Sequence, residues 1–374
     1  MSASDVIIIG AGIVGGACAL ECARAGMRVA VLEADIIGGG ATAAGMGHLV
    51  VMDDSEAQFA LTRYSVELWR TLAAELPADV EYTNSGTIWV AADEEEMNFL
   101  PGKREYYVSR GVRAEILDAS ALREAEPHLR AGLAGGLLVP DDAVIYPPCA
   151  TRLLLEQATA FGARVEVGRR VAEIERDAVR FEDGTRLAAD IIVNAAGMAA
   201  AGLTPGAAIR ARKGHLLITD RYAGFVKHQL IELGYLKSAR SVTGDSVAFN
   251  VQPRPTGQML IGSSRQYGNE EREVDSFILA RMLERACEFI PEFGGLSSLR
   301  VWTGFRAATP DKLPLIGRWP AHERLYLAAG HEGLGITTSL ATGKLLVDEM
   351  LGRKSAISRA PYVPGRTFNE SALN

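Results

Sequence analysis

The sequence predicts an α/β protein in two parts: a Rossmann-like dinucleotide-binding domain and a second α+β domain built on a mostly antiparallel sheet. Three observations predict this. An apolar run, Asp5-Val6-Ile7-Ile8-Ile9, leads directly into Gly10-Ala11-Gly12-Ile13-Val14-Gly15. Further strand–helix patterns follow at 149–197 and 325–351, and the stretch between them, 210–304, alternates with period two. At 374 residues the chain is longer than one hydrophobic core usually serves, so two domains are the default.

The first strand is apolar on both faces, as a parallel strand covered on both sides must be. Gly10 permits the tight turn, Gly12 lets backbone approach a pyrophosphate, and Gly15 lets the next helix pack on the strand with its N-terminal amides and dipole facing phosphate. A second strand, Met27 to Leu32, ends in Glu33, about 18 residues past Gly15, the spacing of an acid that holds a ribose hydroxyl pair. Its carboxylate would repel a 2′-phosphate, which disfavours NADP.

Gly38 to His48 carries almost no side chains and runs straight into apolar Leu49-Val50-Val51-Met52, which predicts a buried loop closely approached by something large. A helix is expected from Ser55 to Leu76, a strand at Gly86 to Ala91, and a helix start at the acidic run Asp93 to Glu96. Cys149 to Ala160 reads as a helix and Ala163 to Val167 as a strand. A hairpin at Val171 to Thr185 precedes the buried strand Ala189 to Asn194, which closes on Ala195-Ala196-Gly197. Alternating strands at Ser246 to Gln252 and Gln258 to Gly262, joined by a Pro/Gly turn, predict the floor of a pocket. The strand Leu325 to Ala329, the loop Gly330-His331-Glu332-Gly333-Leu334-Gly335 and a helix from Ile336 to about Leu351 complete the chain's α/β pattern. The expected division is 1–85, 144–212 and 305–374 for the cofactor domain, and 86–143 with 213–304 for the substrate domain.

Composition excludes several classes. The net charge of −7 gives no electrostatic footprint for nucleic acid or an anionic membrane. Cys18, Cys22, Cys149 and Cys287 form no CxxC pair, and no histidines cluster with them, so no metal is expected. Cys18 and Cys22 lie one helical turn apart and read as packing thiols. With no bilayer-length apolar run and no signal peptide, a soluble cytoplasmic protein is expected.

The opening motif, the strand ending at Gly197 and the Gly330-His331 loop before a helix together resemble the FAD-dependent amino-acid oxidoreductases of the D-amino-acid oxidase, glycine oxidase and sarcosine oxidase superfamily. The resemblance covers nearly the whole chain. Ile231 to Ser238 and Val247 to Arg265 look most like bacterial D-hydroxyproline dehydrogenase and opine oxidase beta-type subunits. The resemblance implies FAD held by Gly10, Gly12, Ile13, Val14, Gly15, Glu33 and Ala34, with Ala195 and Gly197 beside the turn and the backbone of Val171 at the adenine. Thr42, Ala43, Ala44, Gly45 and Met46 would pass along the flavin ring. Gly330, His331, Gly333, Leu334, Gly335, Ile336 and Thr337 would end at its N1/C2-carbonyl side, where a helix N-terminus stabilises the negative charge of the reduced ring. Sarcosine oxidases tether flavin through a cysteine where this chain has Gly304, so the FAD is expected to be non-covalent.

Arg306, before Thr309-Pro310-Asp311, matches the superfamily's carboxylate-binding arginine, and a guanidinium grips an α-carboxylate with two parallel hydrogen bonds. An ion pair with Asp311 is the competing reading. His48 is expected as a contact or proton relay, or tied to a carbonyl. Asn250 and Tyr267 are further substrate-side candidates. The implied reaction moves the Cα hydride of a D-configured or cyclic amino acid, cis-4-hydroxy-D-proline as the best guess, to flavin N5, giving an imine. Electrons then pass to a partner subunit or a quinone. Alternatives are an oxygen-using oxidase, a non-catalytic FAD relay subunit of an opine oxidase-like complex and, more distantly, a nicotinamide dehydrogenase.

Overall fold

A computed structural model describes residues 4–234 and 245–368. The first sheet has a path of six strands in the order Leu315–Arg318, Leu325–Ala329, Arg186–Asn194, Ser4–Ile9, Val29–Glu33 and Arg164–Val167. The pairings along it are parallel except that of Leu315–Arg318 with Leu325–Ala329. Val6 stands between Ile191 and Val29 in this register, so the apolar opening strand is central and covered on both faces. The hairpin strands Val171–Ile174 and Ala178–Phe181 hang from the side of Arg186–Asn194.

The helix Ile13–Arg24 lies against this sheet and between two others, Pro147–Ala160 and Gly335–Met350. Small residues set that packing. A Cβ at Gly343 would come within 2.7 Å of the Ala17 carbonyl oxygen, so the C-terminal helix sits directly on backbone of the first. Cys18 and Cys22 are buried in this seam, and desolvation pushes the Cys22 thiol up to about 12, which makes both packing groups.

The second sheet has nine strands: His331–Glu332, Ser298–Ala308, Arg210–Thr219, Met259–Tyr267, Ser246–Pro253, Gln229–Glu232, Thr87–Ala91, Gly135–Val139 and Glu115–Asp118. It is antiparallel except where Gln229–Glu232 runs beside Thr87–Ala91. The amphipathic helix Ser276–Phe289, capped by Asp275, covers one face.

Several sequence expectations shift. The loop expected to be buried from Gly38 to His48 contains a short helix, Gly40–Ala44, whose Gly40, Ala41 and Ala43 are exposed while Thr42 is buried. Ser55 is the cap rather than the start of the next helix, its Oγ accepting from Gln58 N at 3.1 Å, and the regular helix ends at Leu72 in a 3-10 turn. Asp93 caps the acidic helix start in the same way. Domain boundaries drawn at 212/213 and 304/305 fall inside strands Arg210–Thr219 and Ser298–Ala308, so the two parts share continuous strands there. His331–Glu332, read as loop, forms the edge strand of the second sheet. Among the motifs quoted from the sequence, Tyr235 to Ser238 lie outside the described residues.

Candidate active site

Three sequence-distant motifs meet at the C-terminal end of the first parallel strands. Gly10 adopts φ +103°, and a Cβ there would lie 2.7 Å from the Ala195 carbonyl oxygen. A Cβ at Gly15 would fall 1.9 Å from the Gly10 oxygen, so any side chain at 15 forces the helix off the turn. Buried Asn194 holds the second motif, donating to Ala200 O and Thr204 Oγ1 while its Oδ1 accepts from Ala196 N. Gly197 turns away at φ +55°. The third motif arrives by helix packing, since a Cβ at Gly335 would touch the Val14 side chain at 3.7 Å. The loop Thr42 to Met46 is pinned between them: Thr42 Oγ1 accepts from Ile13 N at 3.1 Å, and a Cβ at Gly45 would collide with Ile336 Cδ1 at 2.6 Å.

The other end of the turn is equally ordered. Glu33 Oε2 accepts from Ala11 N and its Oε1 from Asp35 N, both at 2.8 Å, which aims the carboxylate along the glycine turn rather than into solvent. Ala34 follows at the strand end. Arg169 N donates to Glu33 O at 2.8 Å, which brings Val171, two residues on, to this edge. Gly12 and Leu334, the N-cap residues of the helix Ile13–Arg24 and the 16-residue helix Gly335–Met350, give no side-chain cap of their own, while Thr42 Oγ1 takes the Ile13 amide of the first. Two helix N-termini on one glycine-lined cradle, with an acid at the far end, fit a dinucleotide cofactor of the FAD type. Gly333 and Leu334 lead into the C-terminal helix, and Gly335, Ile336 and Thr337 form its first turn.

Both histidines of the site are desolvated. His331 is buried with Nε2 against Thr342 Oγ1 at 3.0 Å, and burial pushes its pKa down to about 3. It braces the Gly330 turn, where φ is +78°, against the helix. His48 lies next to the flavin-type loop, its carbonyl accepting from Thr337 Oγ1 at 2.8 Å. Its Nε2 is buried without a hydrogen-bond partner, and burial lowers its pKa to about 4. Between pH 6 and 8 it is a neutral imidazole, so the structure corrects the expectation of a relay titrating near physiological pH.

The antiparallel sheet is fastened to the same loop. Trp302 Nε1 donates to Ala44 O at 3.3 Å and Gln252 Nε2 to Met46 O at 2.7 Å. A Cβ at Gly304 would strike Ala44 Cβ at 2.4 Å, which leaves no space for the cysteine that some relatives of this pattern carry. Arg306 and Tyr267 come together here. Tyr267, Arg212 and Arg306 are register partners across three adjacent strands, Tyr267 with Arg212 and Arg212 with Arg306. Arg306 Nη1 donates to Ser264 O at 3.0 Å, and its Nε would lie 3.4 Å from a Cβ at Gly333, at the mouth of the C-terminal helix. Asp311 does not compete for it in the manner expected, because Arg366 grips both Asp311 oxygens at 2.7 and 2.8 Å. Asn250 sits on another rung, paired with Gly262, whose Cβ position is 3.4 Å from Met46 Sδ; its Oδ1 is buried and unpartnered.

Sequence reasoning passed over Arg212, Glu332 and Lys312. Arg212 is buried in the pocket strand, ion-paired with Glu332 and donating to Tyr267 Oη at 2.9 Å. Lys312 and Glu332 are non-glycine residues in left-handed conformation, at φ +63° and +55°. Such strain persists where surrounding structure holds it, often at functional sites. Burial draws the Lys312 pKa down, with Asp54 opposing and Arg265 and Arg212 reinforcing. His215 fixes the strand behind Arg306: its Nε2 accepts from Asp275 N at 2.9 Å, so Nδ1 carries the proton and faces Ser264 Oγ at 2.9 Å. The sequence signal was a basic pair, Arg212-Lys213, in a strand otherwise read as pocket floor.

Comparison with known proteins agrees with this geometry. Residues 5–349 match the family model described as FAD dependent oxidoreductase. The chain is 29% identical to glycine oxidase of Geobacillus kaustophilus over 371 residues, covering 96% of each. It is 25% identical to a hydrogen cyanide synthase subunit of Pseudomonas aeruginosa, covering 98% of this chain and 97% of that one. The crystal structure of the G. kaustophilus glycine oxidase superposes with a TM-score of 0.89 at 26% identity, over 99% of this chain and 100% of that one. L-proline dehydrogenase from P. horikoshii shares the fold, with a TM-score of 0.87 at 24% identity and 97% coverage of both. No helix among the described residues is long and apolar enough to cross a membrane, and no group of three or more metal-ligating side chains occurs among them.

Proposed function

The chain belongs to the family of FAD-dependent oxidoreductases, and from that premise we propose that it oxidises a D-configured or cyclic secondary amino acid, cis-4-hydroxy-D-proline first among them, to its imine. Arg306 carries the proposal: a guanidinium on the pocket sheet, beside Gly333 and the first turn of an uncapped helix, suits an α-carboxylate placed next to a flavin. FAD, when bound, supplies the two-electron acceptor, and the Gly10 to Gly15 turn, Glu33, Thr42 to Met46, Val171 and Gly333 to Thr337 would hold it without a covalent tether.

The remaining work belongs to the protein. Arg306 fixes the carboxylate and thereby the face on which Cα is presented; held geometry of this kind replaces a strong base when the amine is already deprotonated. Tyr267, its hydroxyl held by Arg212, borders the same position and offers a second hydrogen bond. His48, neutral, offers a contact rather than a charge. The first-turn amides of the helix Gly335–Met350 present a positive end to developing negative charge. Named relatives that are a glycine oxidase and an L-proline dehydrogenase support an amino-acid substrate. The proposed electron acceptor is a partner subunit or quinone, while the glycine oxidase likeness favours oxygen as the second reading.

Anaerobic bleaching of the oxidised-flavin absorbance decides among these. The panel is cis-4-hydroxy-D-proline, D-proline, sarcosine, glycine and an opine, followed by admission of air. Rapid bleaching by the hydroxyproline with slow reoxidation is expected. Fast reoxidation makes the protein an oxidase. No bleaching by any of the five refutes catalysis by the isolated chain and favours the electron-relay reading.

A further inference from the structure

We propose that Glu332 is a specificity-determining residue that restricts the pocket to substrates bearing a single carboxylate, by neutralising Arg212. The proposal rests on the reading that Arg306 receives the substrate carboxylate.

Arg212 and Arg306 are direct register partners on neighbouring strands, and such pairs point to one face with Cβ atoms about 4.5–5.5 Å apart. Two guanidiniums side by side form a natural receptor for two carboxylates. Glu332 alters that. Its side chain, 8% exposed, ion-pairs with Arg212, itself 6% exposed. The backbone that carries this carboxylate is fixed: Glu332 stands at φ +55°, paired with Ala307 and followed by the Gly333 turn. A second carboxylate reaching for Arg212 would meet a like charge already seated there. Arg212 is left with a different task, donating to Tyr267 Oη and so fixing that hydroxyl beside the Arg306 site. Lys312 interacts electrostatically with Arg212 and Arg265, with Asp54 opposing, so loss of the negative charge at 332 shifts the balance around Arg212 towards positive whatever other contacts these cations make.

The test uses the purified holoenzyme and two unreactive planar probes, pyrrole-2-carboxylate and pyrrole-2,5-dicarboxylate, with perturbation of the flavin spectrum as readout. The wild type should bind the monocarboxylate at least about tenfold more tightly than the dicarboxylate, and E332Q should shift that ratio towards the dicarboxylate by about tenfold or more. E332D, which keeps the charge, should retain the wild-type preference. A wild type that binds both probes equally overturns the proposal without any variant, as does an E332Q ratio within about twofold of the wild type. R306M separates the underlying reading: if it binds the monocarboxylate as tightly as the wild type, Arg306 is not the anchor and both readings fall together.

Discussion

Gly214 pairs with Gly304 on the strand that carries Arg306, and its Cβ position lies against the Arg306 guanidinium, so replacing it with alanine tests the carboxylate reading without touching the arginine. A Cβ at 214 would stand 2.4 Å from Arg306 Nη1 and 3.0 Å from Cζ, whereas ordinary contact begins at 3.4 Å. The guanidinium must therefore retreat by 3.4 − 2.4 = 1.0 Å. Its bond to Ser264 O, 3.0 Å long, is broken or bent by such a move. The backbone at 214 is not in the left-handed region, and the obstructing atom is the end of a flexible side chain, so the fold accommodates the methyl. Function does not share that tolerance: a displacement of about 1 Å at a positioning group costs on the order of 10²-fold, or about 2.7 kcal/mol of transition-state stabilisation. G214A should bind FAD as the wild type does, melt within a few degrees of it, and lose about 10²-fold in kcat/KM, mostly through KM for the amino acid. Steady-state kinetics under anaerobic dye reduction, with flavin content measured on the same sample, gives both numbers. Unchanged kcat/KM with full flavin loading would refute the assignment of Arg306 as the carboxylate anchor.

Two further outcomes follow from buried groups. Replacing Glu33 with alanine removes an acceptor of two backbone amides at the glycine turn and should weaken FAD retention by about 10- to 100-fold, measured by flavin fluorescence on dilution; an unchanged dissociation constant would separate Glu33 from the cofactor. His331 contributes to acid sensitivity. Its folded pKa is about 3 against an ordinary 6.5, so between those values the unfolded chain holds the extra proton and stability falls as pH drops below 6.5. By pH 5 the loss from this residue is about 2 kcal/mol, and urea denaturation at pH 7 and pH 5 should show H331Q losing less than the wild type over that interval.

Much of the cofactor site was legible because backbone demands leave residue signatures. Gly10 and Gly15 are glycines since a Cβ at either position collides with backbone, and those collisions are local to a strand–turn–helix unit that one sequence window contains. The convergence of the Ala195 and Gly335 motifs on that turn was implied by the resemblance that the three motifs carry together. The substrate wall was harder. Arg212 meets Tyr267 and Arg306 only because three strands from 210–219, 259–267 and 298–308 align in a particular register, and register is set by long-range pairing and bulges that no local window records. Glu332 was hidden for a different reason: it lies in a loop whose glycines drew attention to backbone, while its own role depends on a left-handed φ and on a strand pairing with Ala307. Of the roles open to His48, contact, relay or a tie to a carbonyl, composition could not weigh the relay because it cannot report desolvation, and burial alone moves its titration out of the physiological range.

The way the two sheets meet explains how one reaction geometry can be held by residues so far apart in sequence. Trp302, Gly304 and Gln252, all on the substrate sheet, contact Ala44 and Met46, and Thr42 in the same loop takes the first amide of the glycine-turn helix. Arg306 stands on the same strand only two residues after Gly304, whose contact with Ala44 admits no side chain. A displacement of the 42–46 loop is therefore transmitted to the Arg306 strand through packed atoms rather than absorbed by a linker. Enzymes that rely on orientation need such stiffness, because a bound carboxylate helps only if its anchor keeps a fixed distance from the electron acceptor. On this argument, substitutions enlarging residue 304 should impair cofactor and substrate binding together, whereas changes at Glu332 should alter which substrate is bound and leave the cofactor in place.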